Sequence, residues 1–144
     1  MDGFFTNVFL WAPLFSGFLA QLMKFFWHFI RKKQPDFRQL FLTGGMPSAH
    51  SSAVMTLSTL VGIKEGFGSL IFGVTLFFSL VIMYDAAGLR RAAGMQATVI
   101  NRMLRELQLE GRVSEGRLRE LLGHTPLEVI AGGTLGIFIG VIVA

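Results

Sequence analysis

Apolar residues are concentrated in four long runs, separated by shorter polar or basic stretches. The runs cover residues 4–30, 48–63, 67–84 and 126–144. The first exceeds the roughly 20 residues that a helix needs to cross a bilayer, so it can tilt or emerge beyond the surface. Strands leave backbone groups unpaired in lipid, and these runs are too long for barrel strands. The pattern predicts an all-α integral membrane bundle with about four transmembrane helices.

The stretch 85–125 is polar enough to lie outside the bilayer core. It contains apolar residues at helical spacing: Val99, Ile100, Met103, Leu104 and Leu107. A second short helix is predicted to start at Ser114 and end at Gly123. We therefore expect an amphipathic helical hairpin that lies on the membrane or over a site. A hairpin that only caps the bundle is the alternative.

The composition agrees with a single membrane domain over residues 1–144. Hydrophobic residues make up 52% of the chain and charged residues only 15%, far from a soluble average. The absence of cysteine excludes disulfides, zinc–thiolate sites and cysteine nucleophiles. The net charge of +4 is typical of cytoplasmic flanks of membrane spans, so no nucleic-acid partner is expected.

The basic residues are distributed unevenly between the connections. One group follows the first run, comprising Lys24, Arg31, Lys32, Lys33 and Arg38. Another lies between the third and fourth runs, comprising Arg90, Arg91, Arg102, Arg105, Arg112, Arg117 and Arg119. The connection "KEGFG" contributes only Lys64. The positive-inside rule therefore predicts cytoplasmic 24–50 and 85–125 regions, with both termini outside a cell (inner or plasma) membrane.

A stripe of glycines runs along the fourth apolar run. Gly132, Gly136 and Gly140 form a repeated small-xxx-small pattern, which lets helix backbones approach closely. The stripe predicts either packing within the bundle or a homodimer, and both remain open at this point.

Polar groups cluster at the predicted cytoplasmic ends of the first and second runs. Lys24 and Arg31 project from one helix face because they are nearly two turns apart, with His28 between them. A snorkelling basic flank is the alternative to an anion clamp. In "PSAH", Ser48 and His50 begin the second run, where free N–H groups and the helix dipole favour an anion. Pro–Ser there is otherwise a good helix start.

A third cluster stands at the start of the fourth run. His124 and Glu128 are four residues apart, so they share a face if a helix begins near His124. A nearby carboxylate fixes the tautomer of an imidazole and favours its charged form. A capping histidine with a first-turn glutamate is the alternative.

These clusters together resemble the type-2 phosphatidic acid phosphatase superfamily, which includes vanadium haloperoxidases. Its motifs are KX6RP, PSGH and SRX5HX3D. "KFFWHFIR" matches the first up to Arg31, with Lys32 in place of proline; "PSAH" matches the second, with Ala49 in place of glycine. "HTPLE" matches the end of the third, with Glu128 in place of aspartate, and the serine–arginine pair is absent. The chain is most similar to a divergent bacterial branch, in which "YDAAGLRRAAGMQATVIN" also looks characteristic.

The resemblance implies roles for individual residues. His124 would attack phosphorus to form a phosphohistidine, oriented by Glu128, and His50 would protonate the leaving group. Lys24, Arg31 and the backbone near Ser48 and Ala49 would hold the phosphoryl oxygens. This division suits covalent catalysis, acid catalysis and electrostatic stabilisation. The scheme requires no metal or other cofactor.

The position of the family's arginine is occupied by Leu118, flanked by Arg117 and Arg119. Arg90 and Arg91 are the preferred substitutes, and Arg119 is a further one. Asp85 lies close to the expected anion site, where an arginine partner is the simpler interpretation. A metal site is the other interpretation, with His50, Asp85, His124 and Glu128 as ligands.

The leading hypothesis is a lipid-phosphate phosphomonoesterase at the cytoplasmic face. Its substrate would be a phospholipid or a prenyl (pyro)phosphate, and the amphipathic hairpin would guide the head group. The alternative is a non-catalytic phospholipid- or anion-binding membrane protein that retains a degenerate pocket. A structural oligomer assembled through the glycine stripe is a third hypothesis.

Overall fold

The structure is a computed structural model that describes residues 2–32, 45–109 and 123–144. These residues are almost entirely helical and contain no strand. The helices are α1 (Asp2–Phe5), α2 (Val8–Lys32), α3 (Ala49–Glu65), α4 (Leu70–Ala87), α5 (Leu89–Leu109) and α6 (Pro126–Val143). The predicted all-α class is confirmed, and α2, α3, α4 and α6 correspond to the four apolar runs.

Three stretches of the described helices are long and apolar enough to cross a membrane. They are Gly3–Ile30, Leu70–Ala87 and Pro126–Val143. The helix α3 is shorter and more polar, with 17 residues. At 1.5 Å per residue it is about 25 Å long, against a hydrocarbon core of about 30 Å. Its relation to its neighbours decides how deep it lies.

The helix α3 occupies the centre of the bundle. It packs against α2, α4 and α6, and its buried side chains include Ser51, Ser52, Thr56 and Ser58. Lipid contact with such residues would leave hydroxyl groups without partners. Because neighbouring helices cover them on three sides, α3 tolerates a composition that is too polar for a lipid-facing span.

Hydroxyl groups join α3 to its neighbours. The Thr56 hydroxyl lies 2.8 Å from the Ser16 hydroxyl of α2 and 3.0 Å from the Gly136 carbonyl of α6. On another side, the Ser58 and Ser79 hydroxyls lie 2.8 Å apart and connect α3 to α4. Interhelical hydrogen bonds of this kind stabilise membrane bundles. They account for the Ser/Thr content of the second apolar run.

The helices α3 and α6 run parallel over their whole length. At one end the Ser48 N–H donates to the Glu128 carbonyl at 3.0 Å, and at the other the Lys64 ammonium donates to the Ala144 carbonyl. Since α6 has the length and composition of a membrane span, α3 extends between the same two levels. The four helices that correspond to the predicted runs therefore lie side by side.

The glycine stripe of α6 faces α3. A Cβ atom at Gly132 would clash with the Ser48 backbone, one at Gly136 with the Ser52 carbonyl, and one at Gly140 with the Thr59 side chain. All three glycines are buried in the single chain. Of the two arrangements that the sequence left open, the structure has packing within the bundle. The predicted homodimer through these glycines is not supported, because α3 already covers them.

The helix α5 follows α4 after a single residue, Gly88, and packs only on α4 among the described elements. Four apolar side chains of one face are exposed: Met95, Val99, Ile100 and Met103. This helix agrees with the first helix predicted for 85–125. The predicted second helix, from Ser114 to Gly123, falls almost entirely outside the described residues.

We expect Gly136→Ala to destabilise the bundle and Gly73→Ala to leave it intact. The new methyl at Gly136 meets the Ser52 backbone and the Met55 Cβ, whereas nothing lies within 4 Å of a Cβ at Gly73. Overpacking costs about 1–3 kcal/mol, while alanine in a helix is favoured over glycine by up to ~1 kcal/mol. Unfolding titrations in mixed detergent measure both variants. Equal free energies of unfolding would contradict the close α3–α6 approach.

Candidate functional site

The side chains of His124 and Glu128 are in contact at the N-terminus of α6. Nδ1 of His124 lies 3.2 Å from Oε2 of Glu128. The same carboxylate oxygen accepts from the Thr125 N–H at 3.0 Å, and the Thr125 hydroxyl accepts from the Glu128 N–H at 3.4 Å. This capping box, with Pro126 in the first turn, is a strong local signal for the start of a helix. It holds the carboxylate where it can orient the imidazole.

Three other segments hold the His124–Glu128 pair in place. The His124 N–H donates to the Ala86 carbonyl at the end of α4, at 3.2 Å. The Glu128 carbonyl accepts from the Ser48 N–H at the start of α3, at 3.0 Å. The Gly45 backbone hydrogen-bonds the His124 ring. Because Nδ1 faces Glu128, Nε2 is the ring nitrogen that remains for chemistry.

Lys24 belongs to the same cluster. Its side chain is only 6% exposed, and its ammonium group donates to the Gln21 side-chain oxygen at 2.6 Å. Its methylene groups pack against Gly45, which has a φ of +85° that favours glycine. Lys24 also interacts electrostatically with Glu128 and His124. A buried cation therefore lies beside a histidine–carboxylate pair.

Burial lowers the pKa of His124 below its ordinary value of about 6.5. The hydrogen bond to Glu128 opposes this shift, the positive charge of Lys24 adds to it, and the Glu128 charge and Gly45 contact oppose it. The ring is 2% exposed, so desolvation dominates. The neutral, nucleophilic imidazole is consequently favoured at neutral pH.

The "PSAH" segment forms the N-terminus of α3 at this end of the bundle. Ser48 is the N-cap, fully buried, and its hydroxyl accepts from the Ser51 N–H at 3.4 Å and the Ser51 hydroxyl at 3.0 Å. The Ser48 N–H is bound to the Glu128 carbonyl of α6 and is not available to an anion, so the predicted nest at Ser48 and Ala49 is reduced to Ala49. Ala49 is half-buried and His50 is exposed in the first turn of α3. Both histidines thus lie at one end of the bundle.

The structure describes the remaining predicted site residues only in part. Asp85 is half-buried in the last turn of α4, next to the Ala86 carbonyl that accepts from His124. Arg31 is in the last turn of α2, and Arg90 and Arg91 are in the first turn of α5, but their side chains lie outside the described residues. Arg119 lies outside them altogether. These arginines stay predictions for the phosphate clamp.

The metal interpretation does not fit the geometry of the described part of the chain. No three His, Asp or Glu side chains in residues 2–32, 45–109 and 123–144 come together as metal ligands. Its four candidate ligands, His50, Asp85, His124 and Glu128, are all within those ranges. Of these four, His124 and Glu128 are in direct contact, with Nδ1 3.2 Å from Oε2.

Sequence reasoning missed two partners of the cluster, Gln21 and the Gly45 backbone. Gln21 precedes Lys24 by three residues, a spacing that puts two side chains on one helix face. This spacing could have indicated the Gln21–Lys24 contact from the sequence alone. Gly45 carries no side chain, and only its contact with a distant helix reveals its role.

The fold and the cluster define a class of protein: a multi-pass helical membrane protein with a histidine–carboxylate pair and a buried lysine at one end of its bundle. A family model described as "Divergent PAP2 family" matches residues 5–139. The chain is also 38% identical, over 96% of its length and 95% of the relative's, to "Uncharacterized membrane protein YuiD" of Bacillus subtilis (strain 168). The chain belongs to the divergent PAP2 family. No solved structure matches it.

We expect Glu128→Gln to lower the pKa of His124 further. Glutamine keeps an oxygen for the Thr125 N–H but loses the charge, and the carboxylate is what raises this pKa against burial. The measurement is a pH titration of ¹⁵N-labelled imidazoles by NMR in micelles, with His124→Asn to assign the signal. Glu65→Gln, which removes an exposed carboxylate of α3, is the matched control. An unchanged or higher pKa in Glu128→Gln would contradict the pairing.

Proposed function

We propose that the protein is a membrane lipid-phosphate phosphatase that works through a phosphohistidine at the cytoplasmic face. The observation that carries the proposal is the buried His124, held through Nδ1 by Glu128 beside the buried Lys24. Membership of the divergent PAP2 family supports it. Structural capping alone does not require a lysine and a histidine to be buried together, because desolvating ionisable groups is costly.

The first half of the proposed reaction transfers the phosphoryl group to the protein. Nε2 of His124 attacks phosphorus while the ester P–O bond breaks, and His50 gives a proton to the leaving alkoxide. The resulting phosphoimidazolium is stabilised by the Glu128 carboxylate at Nδ1.

The second half returns the protein to its starting state. Water attacks the phosphorus of the phosphohistidine and gives a proton to His50. The N–P bond breaks, so inorganic phosphate is released and neutral His124 is restored. The phosphoryl oxygens are held by Lys24, by the Ala49 N–H at the start of α3, and by Arg31, Arg90 and Arg91. Such preorganised donors supply much of the stabilisation in phosphoryl transfer. Arg90 and Arg91 take the place of the serine–arginine pair that is absent from the sequence.

We expect purified protein to release phosphate from phosphatidate, phosphatidylglycerophosphate or a prenyl pyrophosphate. His124→Ala should reduce release by ~10³-fold or more because it removes the nucleophile. His50→Ala should reduce it by roughly 10²–10⁴-fold, as for loss of a general acid. His28→Ala is the matched control, because it removes an imidazole of α2 to which the proposed mechanism gives no role. Acid-labile, base-stable labelling with ³²P in the wild type, absent from His124→Ala, identifies the intermediate.

A non-catalytic anion-binding protein is the second candidate. Leu118 where the family has arginine favours it, as does the occupation of the His124 ring by Gly45. Wild type and His124→Ala that are equally inactive across the panel would reject catalysis. Vanadate binding that survives His124→Ala but is lost in Arg31→Ala would then identify the binder.

The proposed orientation has both termini outside and the site inside. It rests on the charge bias of the connections, with Lys24 and the arginines at the site end. Reporter fusions test it: alkaline phosphatase at either terminus should be active, and a fluorescent protein there should not mature. The reverse pattern would contradict the orientation while leaving the chemistry untouched.

A further inference from the structure

Among the described helices, none packs directly on one side of the central helix α3. The Ser52 carbonyl and the Thr59 side chain meet glycines of α6, and the Ser58 hydroxyl is hydrogen-bonded to Ser79 of α4. The Ser52 hydroxyl is hydrogen-bonded to Ser16 of α2, and Ala53 lies next to Gly17 of the same helix. The remaining side has His50 at its first turn, followed by Leu57 and Val61 at intervals of seven and four residues. These intervals keep the three residues on a single helix face.

This uncovered side is the floor of a groove between α2 and α4. In the described residues, no Cα atom of α2 lies within 8 Å of one of α4, while both helices pack on α3. At the end far from the site, a cavity of about 440 Å³ is lined by Phe9 of α2, Leu57, Val61 and Glu65 of α3, and Ile71 and Thr75 of α4. The groove therefore has apolar walls in the membrane and an acidic residue at its far end.

The α4 wall continues from this cavity toward the site. Phe78 and Ile82 follow Ile71 by seven and eleven residues, so they share its helix face, and both are exposed. From His50 to Val61, eleven residues of α3 correspond to about 16 Å at 1.5 Å per residue. The apolar face of α4 and the side of α3 that begins at His50 thus both extend between the cavity and the site end of the bundle.

We propose that this groove, which we call the chain groove, binds a hydrocarbon chain of the lipid phosphate whose head group reaches His50 and His124. The inference rests on the proposed function for the identity of the head group. The occupant follows from three observations: the groove lies at bilayer depth, its lining is almost entirely apolar, and its floor carries His50 at one end. A chain that fills it must be long enough to pass from His50 to Val61.

The groove favours long chains because it positions their phosphate at the site, and not because it gains hydrophobic free energy on binding them. A chain leaving the bilayer for the groove exchanges one apolar environment for another, so little transfer free energy is gained. A chain bound along α3 instead holds its phosphate at a fixed distance from the floor. Short-chain phosphates that cannot reach Leu57 and Val61 lose this positioning. Correct positioning of a substrate contributes strongly to the reaction rate.

The direct test is photocrosslinking with a lipid phosphate that carries a diazirine at the end of a long acyl chain. The same fatty chain without phosphate is the control probe. We expect the phosphate probe to label chain-groove residues, chiefly Phe9, Val61, Ile71 and Thr75, and excess unlabelled phosphatidate to suppress this labelling. The phosphate-free probe should label exposed α6 residues such as Ile137 and Phe138 equally well. Equal labelling of groove and α6 by both probes would overturn the proposal.

The second test fills the groove. Leu57→Trp and Ile71→Trp, one in the floor and one in the wall, should each lower kcat/KM for a long-chain substrate by about tenfold and leave a short-chain substrate unaffected. Ile137→Trp, at an exposed position of α6, is the matched control. Wild-type activity of Leu57→Trp and Ile71→Trp on long-chain substrates would contradict the proposal that the chain groove binds the hydrocarbon chain.

The two tests separate the groove from the proposed function. Groove labelling that requires the phosphate, in a protein that hydrolyses none of the lipids, supports the groove and rejects the phosphatase. Hydrolysis without groove labelling, and without an effect of Leu57→Trp, rejects the groove and retains the phosphatase.

Discussion

The parallel packing of α6 against α3 is the constraint on which the candidate site depends. Glycines at Gly132, Gly136 and Gly140 let the backbones of the two helices meet, as in other close helix pairs of membranes. The first of these contacts is with the backbone of Ser48, where the Ser48 N–H also donates to the Glu128 carbonyl. The helix pair therefore sets the position of His50 relative to the His124–Glu128 pair.

The described helical architecture was largely predictable from sequence because a bilayer permits few alternatives. Length and hydropathy limit each apolar run to a helix, and the four runs match α2, α3, α4 and α6. Hydropathy does not say which helix is central. The Ser/Thr content of the second run was the relevant signal, since Thr56 has partners in both α2 and α6. Nor does a glycine stripe identify the surface that it contacts. The sequence was therefore compatible with a homodimer as well as with packing inside the bundle, and in the structure α3 packs on the stripe.

The site was predictable where its residues are close in the chain. The four-residue interval between His124 and Glu128 gives their contact directly, because both stand at one helix start. Contacts between distant segments depend on how helices pack, and spacing carries no information about them. The bonds from His124 to the Ala86 carbonyl and the Gly45 backbone are of this kind. Ordered family motifs indicated that the clusters converge, but not which backbone groups join them.

The charges of the cluster are arranged to remain balanced through the proposed reaction. At rest, Lys24 and Glu128 interact across a neutral His124, whose pKa burial lowers. An incoming phosphate brings negative charge and competes for Lys24, which leaves the Glu128 carboxylate without its cation. Formation of the phosphoimidazolium supplies a new one at Nδ1. The Glu128 carboxylate thus regains a cationic partner when the intermediate forms, which favours the intermediate in a low-dielectric membrane end and explains how a neutral resting histidine and a glutamate fit one mechanism.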